Sequence, residues 1–193
     1  MRSTEQPLSQ EDGATLLEVA RTSVAHGLDH GTPLSVVPRE YAPALRAPGA
    51  CFVTLHLRED LRGCTGTLEV RDPLVVDVAY NAHRSAFDDP RFSPLTRAEY
   101  ADLDYHISVL SPLEPLPVDS EEDLLRKLRP GIDGLVLHDG TATATFLPAV
   151  WQTLPDPKDF VAELKRKAGL PANYWSDSLT LQSYAVLSFT MDN

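Results

Sequence analysis

The sequence predicts an α+β fold with a largely antiparallel sheet flanked by helices. Strand and helix candidates follow one another without the regular alternation of a parallel βαβ chain. Two pairs of strand candidates are joined by short polar turns, at Arg58 to Asp60 and at Asp139-Gly140, and both read as hairpins. At 193 residues and 42% hydrophobic, the chain is long enough to bury one substantial core, alone or with a smaller lobe.

Residues 1–8 read as a flexible tail, and residues 9–193 as a single domain. Ser9 and Asp12 form a capping box, after which Leu16, Leu17, Ala20 and Val24 carry helical spacing to about Leu28. Four prolines from Pro33 to Pro48 take the chain across a surface, with a short helical turn around Tyr41 to Leu45. ACFVTLHL, Ala50 to Leu57, alternates with Phe52, Thr54 and His56 on one face and Val53, Leu55 and Leu57 on the other, which predicts a strand. Leu61 to Val70 is the returning strand. Asp72 then caps a helix with Pro73 in its first position. Its inner stripe is Val75, Ala79, Ala82 and Ala86, with His83 and Arg84 off that stripe, and it ends near Phe87. The DDPRF loop, Asp88 to Phe92, follows.

Tyr100 to Ser111 holds the third strong strand, with His106, Ser108 and Leu110 on one face and Tyr105, Ile107 and Val109 on the other. Ser120 opens a short helix whose acidic start and basic end match the helix dipole. Ile132 to His138 and Thr141 to Leu147 form the second hairpin. Asp156 and Pro157 begin another helix, with Phe160, Val161, Leu164 and Ala168 inward and Gly169 at its end; Lys165 to Lys167 read as its solvated terminus. Thr180 to Thr190 closes the chain as one strand.

The stretch that stands out chemically is LRGCTG, Leu61 to Gly66. The two-residue period of a strand puts Arg62 and Cys64 on one face at roughly 7 Å. Gly63 and Gly66 leave bare backbone where a ligand or another chain approaches closely. A guanidinium beside a thiol favours its thiolate and also suits carboxylate or phosphate. The alternative is structural: Cys64 as a small buried hydrophobe, and Arg62 paired with a structural carboxylate. A catalytic thiol needs a base, and the candidates are His56, His83 and His106, with His83 assigned to the catalytic set beside Cys64 and Arg62. Asp89 and Arg91 are candidates for the substrate or partner surface along with Gly63 and Gly66, or form a turn held by its own ion pair.

The formal charge of −11 opposes nucleic-acid binding. Two cysteines, Cys51 and Cys64, without CxxC or clustered His/Cys spacing, predict reduced thiols and no metal. No P-loop, GxGxxG, HExxH or radical SAM cysteine triplet is present, and no cofactor is expected. No apolar run reaches the roughly 20 residues of a membrane span, and the first residues lack a secretory apolar block, so the cytoplasm is the expected compartment.

Ordered blocks along the chain resemble the AMMECR-one domain family, whose prokaryotic members are called AmmeMemoRadiSam system protein A. They are FVTL (Phe52 to Leu55), LRGCTG, AHRSAFDDPRF (Ala82 to Phe92) with PLT, ISVLSPLEPL (Ile107 to Leu116), GIDGLVL (Gly131 to Leu137), FLPAVW (Phe146 to Trp151) and KAGLPANYW (Lys167 to Trp175). The resemblance departs at Thr65, where the family motif has isoleucine, at His106, where many members have an acid, and at Lys165, where they have cysteine. It implies an α+β fold with a larger and a smaller lobe and a cleft between them. It also implies a pathway shared with Memo-like and radical SAM proteins. Two functions are carried forward from it: an enzyme or accessory subunit using a Cys64/Arg62 cleft, and a non-catalytic module docking partners through the LRGCTG surface.

Overall fold

The computed structural model describes residues 8–191, so the tail read over residues 1–8 lies, except for Leu8, outside the described residues. Two compact units divide the chain, residues 8–110 with 187–191 in the first and 111–186 in the second. The single domain expected from the sequence thus has two cores.

The first unit is built on helix α1 (Gln10–His30), short helix α2 (Pro43–Arg46), strands β1 (Cys51–Leu57) and β2 (Asp60–Gly66), helix α3 (Leu74–Phe87), strand β3 (Leu103–Leu110) and strand β8 (Val186–Met191). The capping box starts α1 as predicted, with Ser9 accepting from Asp12 N–H and Asp12 accepting in return. The strand order is β2-β1-β3-β8, with β1 antiparallel to both neighbours. Cys51, Val53 and Leu55 face α3 along with Tyr105 and Ile107, and with Leu16, Ala20, Val24, Val78 and Ala82 they fill the core. The opposite sheet face carries Phe52, Thr54 and His56 from β1, Cys64 from β2, and Asp104, His106 and Ser108 from β3, all half-buried. This alternation was read correctly from the sequence.

The second unit holds strands β4 (Glu114–Pro115), β5 (Gly134–Asp139), β6 (Ala142–Phe146) and β7 (Thr180–Tyr184) with helices α4 (Glu121–Lys127) and α5 (Pro157–Lys167). Its sheet order is β4-β7-β5-β6, antiparallel throughout. Trp151 stacks on Phe160 at 3.8 Å between ring centres and donates its indole N–H to Asp133 O at 2.7 Å. Both sit among Leu124, Leu135, Leu137 and Leu164.

Local readings shift where tertiary contacts intervene. Strand β2 ends at Gly66 instead of Val70, because Thr67 turns to hydrogen-bond Asp77 in α3. Helix α3 starts at Leu74 with Pro73 as its cap residue and no side-chain cap, so Asp72 does not cap it; the chain is anchored there by Leu74 N–H on Ala47 O. The last strand is broken at Ala185 into β7 and β8, which belong to different sheets. Lys165 is not part of a solvated helix end: it is fully buried, with its ammonium 3.0 Å from Glu121 Oε2, because a buried amine needs a counter-charge.

The glycines of LRGCTG are packed, not bare. Gly63 is buried where the backbone of α3 crosses β2, and a Cβ there would overlap the carbonyl oxygen of Ser85. A Cβ at Gly66 would overlap the Phe52 ring. The expected docking surface at Gly63 and Gly66 is therefore corrected: the close approach they permit is made by the chain itself. The obstacle at Gly63 is backbone and cannot rotate away, so Gly63→Ala is expected to destabilise the protein by about 3 kcal/mol or more. Urea denaturation measures it, and a loss below about 1 kcal/mol contradicts this packing.

Candidate active site

Strand β2 is the edge of its sheet, and Cys64 sits where it is held from three sides. Its N–H donates to Asp89 Oδ2 at 2.8 Å, and its C=O accepts from Arg91 Nη2 at 3.2 Å. Asp89 and Arg91 are bound to each other as a fork, with Nε to Oδ1 at 3.0 Å and Nη2 to Oδ2 at 2.7 Å. The pair offers one acceptor and one donor to one peptide, and so replaces a missing neighbour strand. Asp89 is 3% exposed at its side chain, whereas Arg91 is 54% exposed. The Arg91 fork, opposed by burial, holds the Asp89 carboxyl down from 3.8 to about 2. Arg91 is itself held more strongly charged, mostly by Asp89 and to a lesser degree by Cys64, with burial opposing.

On the face away from α3, Thr54 Oγ1 donates to Cys64 Sγ at 3.2 Å. Thr54 pairs across the sheet with Cys64 on one side and with His106 on the other, giving a Cys64–Thr54–His106 row. The His106 ring meets His56 edge-on at 5.0 Å. Burial lowers the His56 pKa, His106 lowers it further, and Asp104 acts in the opposite direction.

Two assigned residues stand elsewhere. The register slips by one residue between Leu55 and His56, leaving Arg62 as a bulge with no opposite number. Its guanidinium, 12% exposed, donates from Nε to Glu99 Oε1 at 2.7 Å and from Nη2 to Glu99 Oε2 at 3.3 Å and Ser93 O at 3.0 Å; Nη1 is buried without a hydrogen bond. Arg62 is thus the structural ion pair, and the cation acting on Cys64 is Arg91. His83 is buried against Gly27 of α1 and Phe87, with Nδ1 3.8 Å from Asp88. Burial lowers its pKa against the opposing pull of Asp88. Its expected partnership with Cys64 is corrected, because α3 turns that ring toward α1.

Cys51, the other thiol, is buried on the core side, where Asp77 accepts its backbone N–H at 2.9 Å. Burial first, and Asp77 second, push its thiol pKa well up. Glu99 escaped the sequence reading because nothing in LTRAEY distinguishes it from a solvated acid. Thr54 was placed on the correct face, but no sequence signal marked its hydroxyl for the sulfur. Among the described residues, no group of three or more His, Cys, Asp or Glu side chains is arranged to hold a metal ion.

An α+β protein of two antiparallel four-stranded sheets, with one cysteine pinned at a sheet edge, is the class these features define. The AMMECR1 family model matches residues 17–189, and the chain belongs to that family. A protein of Methanothermobacter thermautotrophicus is 36% identical over 177 residues, spanning 90% of this chain and 91% of its own length. One from Thermofilum pendens is 34% identical over 183 residues, spanning 87% and 84%. The crystal structure of an uncharacterized protein from Pyrococcus horikoshii superposes with a TM-score of 0.87 at 32% identity, over 95% of this chain and 93% of that one. No helix among the described residues is long and apolar enough to cross a membrane.

Removing either partner of the Arg62–Glu99 pair strands a largely buried charge, so Arg62→Ala and Glu99→Ala are each expected to cost about 2–4 kcal/mol. The double variant should cost little more than either single one; additive losses in urea denaturation contradict the pairing. Glu99 is lowered from 4.5 to about 2, chiefly by Arg62. With both carboxyls depressed in the fold, the stability from Asp89 and Glu99 is fully present above about pH 4.5 and drains away as pH falls toward 2. For Asp89 this amounts to on the order of 2 kcal/mol. Denaturation midpoints measured from pH 6 to pH 2.5 follow it, and the Asp89→Asn variant should lose less over that interval than the wild type.

Proposed function

We propose that the protein acts through Cys64 as a thiol nucleophile toward an electrophilic carbon. In the step, a bond forms between Sγ and that carbon, and the bond to the leaving group breaks. The leaving group departs with the bonding electron pair and takes up the proton that the thiol gave. What carries this reading is the Thr54 hydroxyl donating to Sγ at 3.2 Å, because a hydrogen bond donated to sulfur stabilises the thiolate over the thiol. The charge of Arg91 acts in the same sense. Anchoring of both Cys64 backbone groups by Asp89 and Arg91 fixes where the sulfur stands, which favours a positioned nucleophile.

Cys51 provides an internal comparison, being fully buried with its thiol pKa pushed up. Treated with iodoacetamide at neutral pH and mapped by mass spectrometry, Cys64 should react at least about tenfold faster than Cys51. Arg91→Met should slow Cys64 labelling by about three- to tenfold, since one pKa unit changes the thiolate fraction tenfold. Modification of Cys64 that requires denaturant overturns the reading.

A further inference from the structure

We infer that His106 is the proton acceptor for Cys64, reached through the hydroxyl of Thr54. The inference rests on the reading of Cys64 as a nucleophile and identifies the base that reading lacks. Of the three histidines considered from sequence, His83 is packed against α1, while His56 and His106 share the sheet face of Cys64. His106 alone lies in the same cross-strand row. Strands are spaced about 4.8 Å apart, so Cys64 and His106 are separated by roughly 10 Å at the backbone, too far for direct proton transfer. Thr54 fills the gap between them. Its Cβ lies about 5 Å from that of His106, as directly opposite residues of neighbouring antiparallel strands do.

The transfer balances. The S–H bond of Cys64 breaks and its proton passes to Thr54 Oγ1, while the hydroxyl's own proton moves to the unprotonated ring nitrogen of His106. A thiolate, a neutral hydroxyl and an imidazolium result. The hydroxyl then points its proton at sulfur, which is the orientation observed. The imidazolium returns the proton by the same path to the departing group.

Among the described residues, His56 and Asp104 stand near His106 on this sheet face. His56, in edge contact with it, is kept toward the neutral form by burial and by His106 itself, so the pair avoids carrying two positive charges. Asp104 stands on the same face of β3 as His106, opposite His56 of β1. Arg91 lies at the far end of the row beside Cys64. Strand β8, the other neighbour of β3, contributes no titratable residue from Val186 to Met191.

The test is the pH dependence of the Cys64 alkylation rate in the full chain, from pH 5 to pH 10, with folding checked by circular dichroism. His106→Gln should raise the apparent thiol pKa by about one unit or more and cut the rate at pH 7 about tenfold. Thr54→Val should reproduce that shift, and Thr54→Ser, which restores the hydroxyl, should return the wild-type profile. His83→Gln should leave the profile in place. A wild-type Cys64 that reacts readily, with an unshifted profile in His106→Gln, overturns this inference while leaving the nucleophile reading intact. A wild-type Cys64 that does not react overturns both.

Discussion

A peptide at the edge of a sheet has a donor and an acceptor facing outward, and the site is organised around satisfying those of Cys64. The Asp89–Arg91 fork supplies both partners from the turn after α3. One ion pair therefore covers the sheet edge and holds the cysteine backbone. The nearly buried Asp89 carboxylate accepts four hydrogen bonds, two from the Arg91 guanidinium and one each from the backbone N–H groups of Arg91 and Cys64. That is why its charge is tolerated at low exposure. The half-exposed guanidinium also donates to the Cys64 carbonyl at 3.2 Å.

The second constraint is the contact between α3 and β2. Gly63 lets the helix backbone press onto the strand, and Thr65 reinforces the contact by donating its N–H to Ser85 Oγ at 2.9 Å and its hydroxyl to Asn81 O at 3.0 Å. Ser85 in turn donates to Val53 O at 2.7 Å. The Thr65 hydroxyl thus has a local use here, since it finds a carbonyl in α3. With the helix seated on that face, Cys64 projects to the other, beside Thr54. The bulge at Arg62 then removes the arginine from the row and delivers it to Glu99 and the Phe92 ring, 5.9 Å away. Its role is to secure the loop over residues 93–99.

Much of this was legible before any coordinates. Alternation in FVTLHL set Thr54 and His56 on one face of their strand, and alternation in YHISVL set His106 with Ser108 on one face of its own, because a side chain's face in a strand depends only on parity. Parity failed at Arg62, where a single extra residue in β2 changed the count; nothing in LRGCTG announces a bulge. The glycines were read as backbone left bare for a ligand or another chain, and what approaches them is Ser85 and Phe52 of the same chain. Lys165 was misread because its sequence neighbours Arg166 and Lys167 suggest a wet helix end, whereas helical spacing turns it inward beside Phe160, Val161 and Leu164. Its half-buried partner, Glu121, is 44 positions earlier in the chain.

By itself the sequence determined the fold class, the helix caps at Ser9, Ser120 and Asp156, the faces of the strands and the family, all of which depend on local periodicity or on motifs in order. Only the tertiary structure decided which arginine bears on the thiol, which histidines share its face, and that the paired glycines are occupied. Those outcomes depend on contacts between residues about 10 to 50 positions apart, and on one register slip, which the residues on either side of the site do not announce.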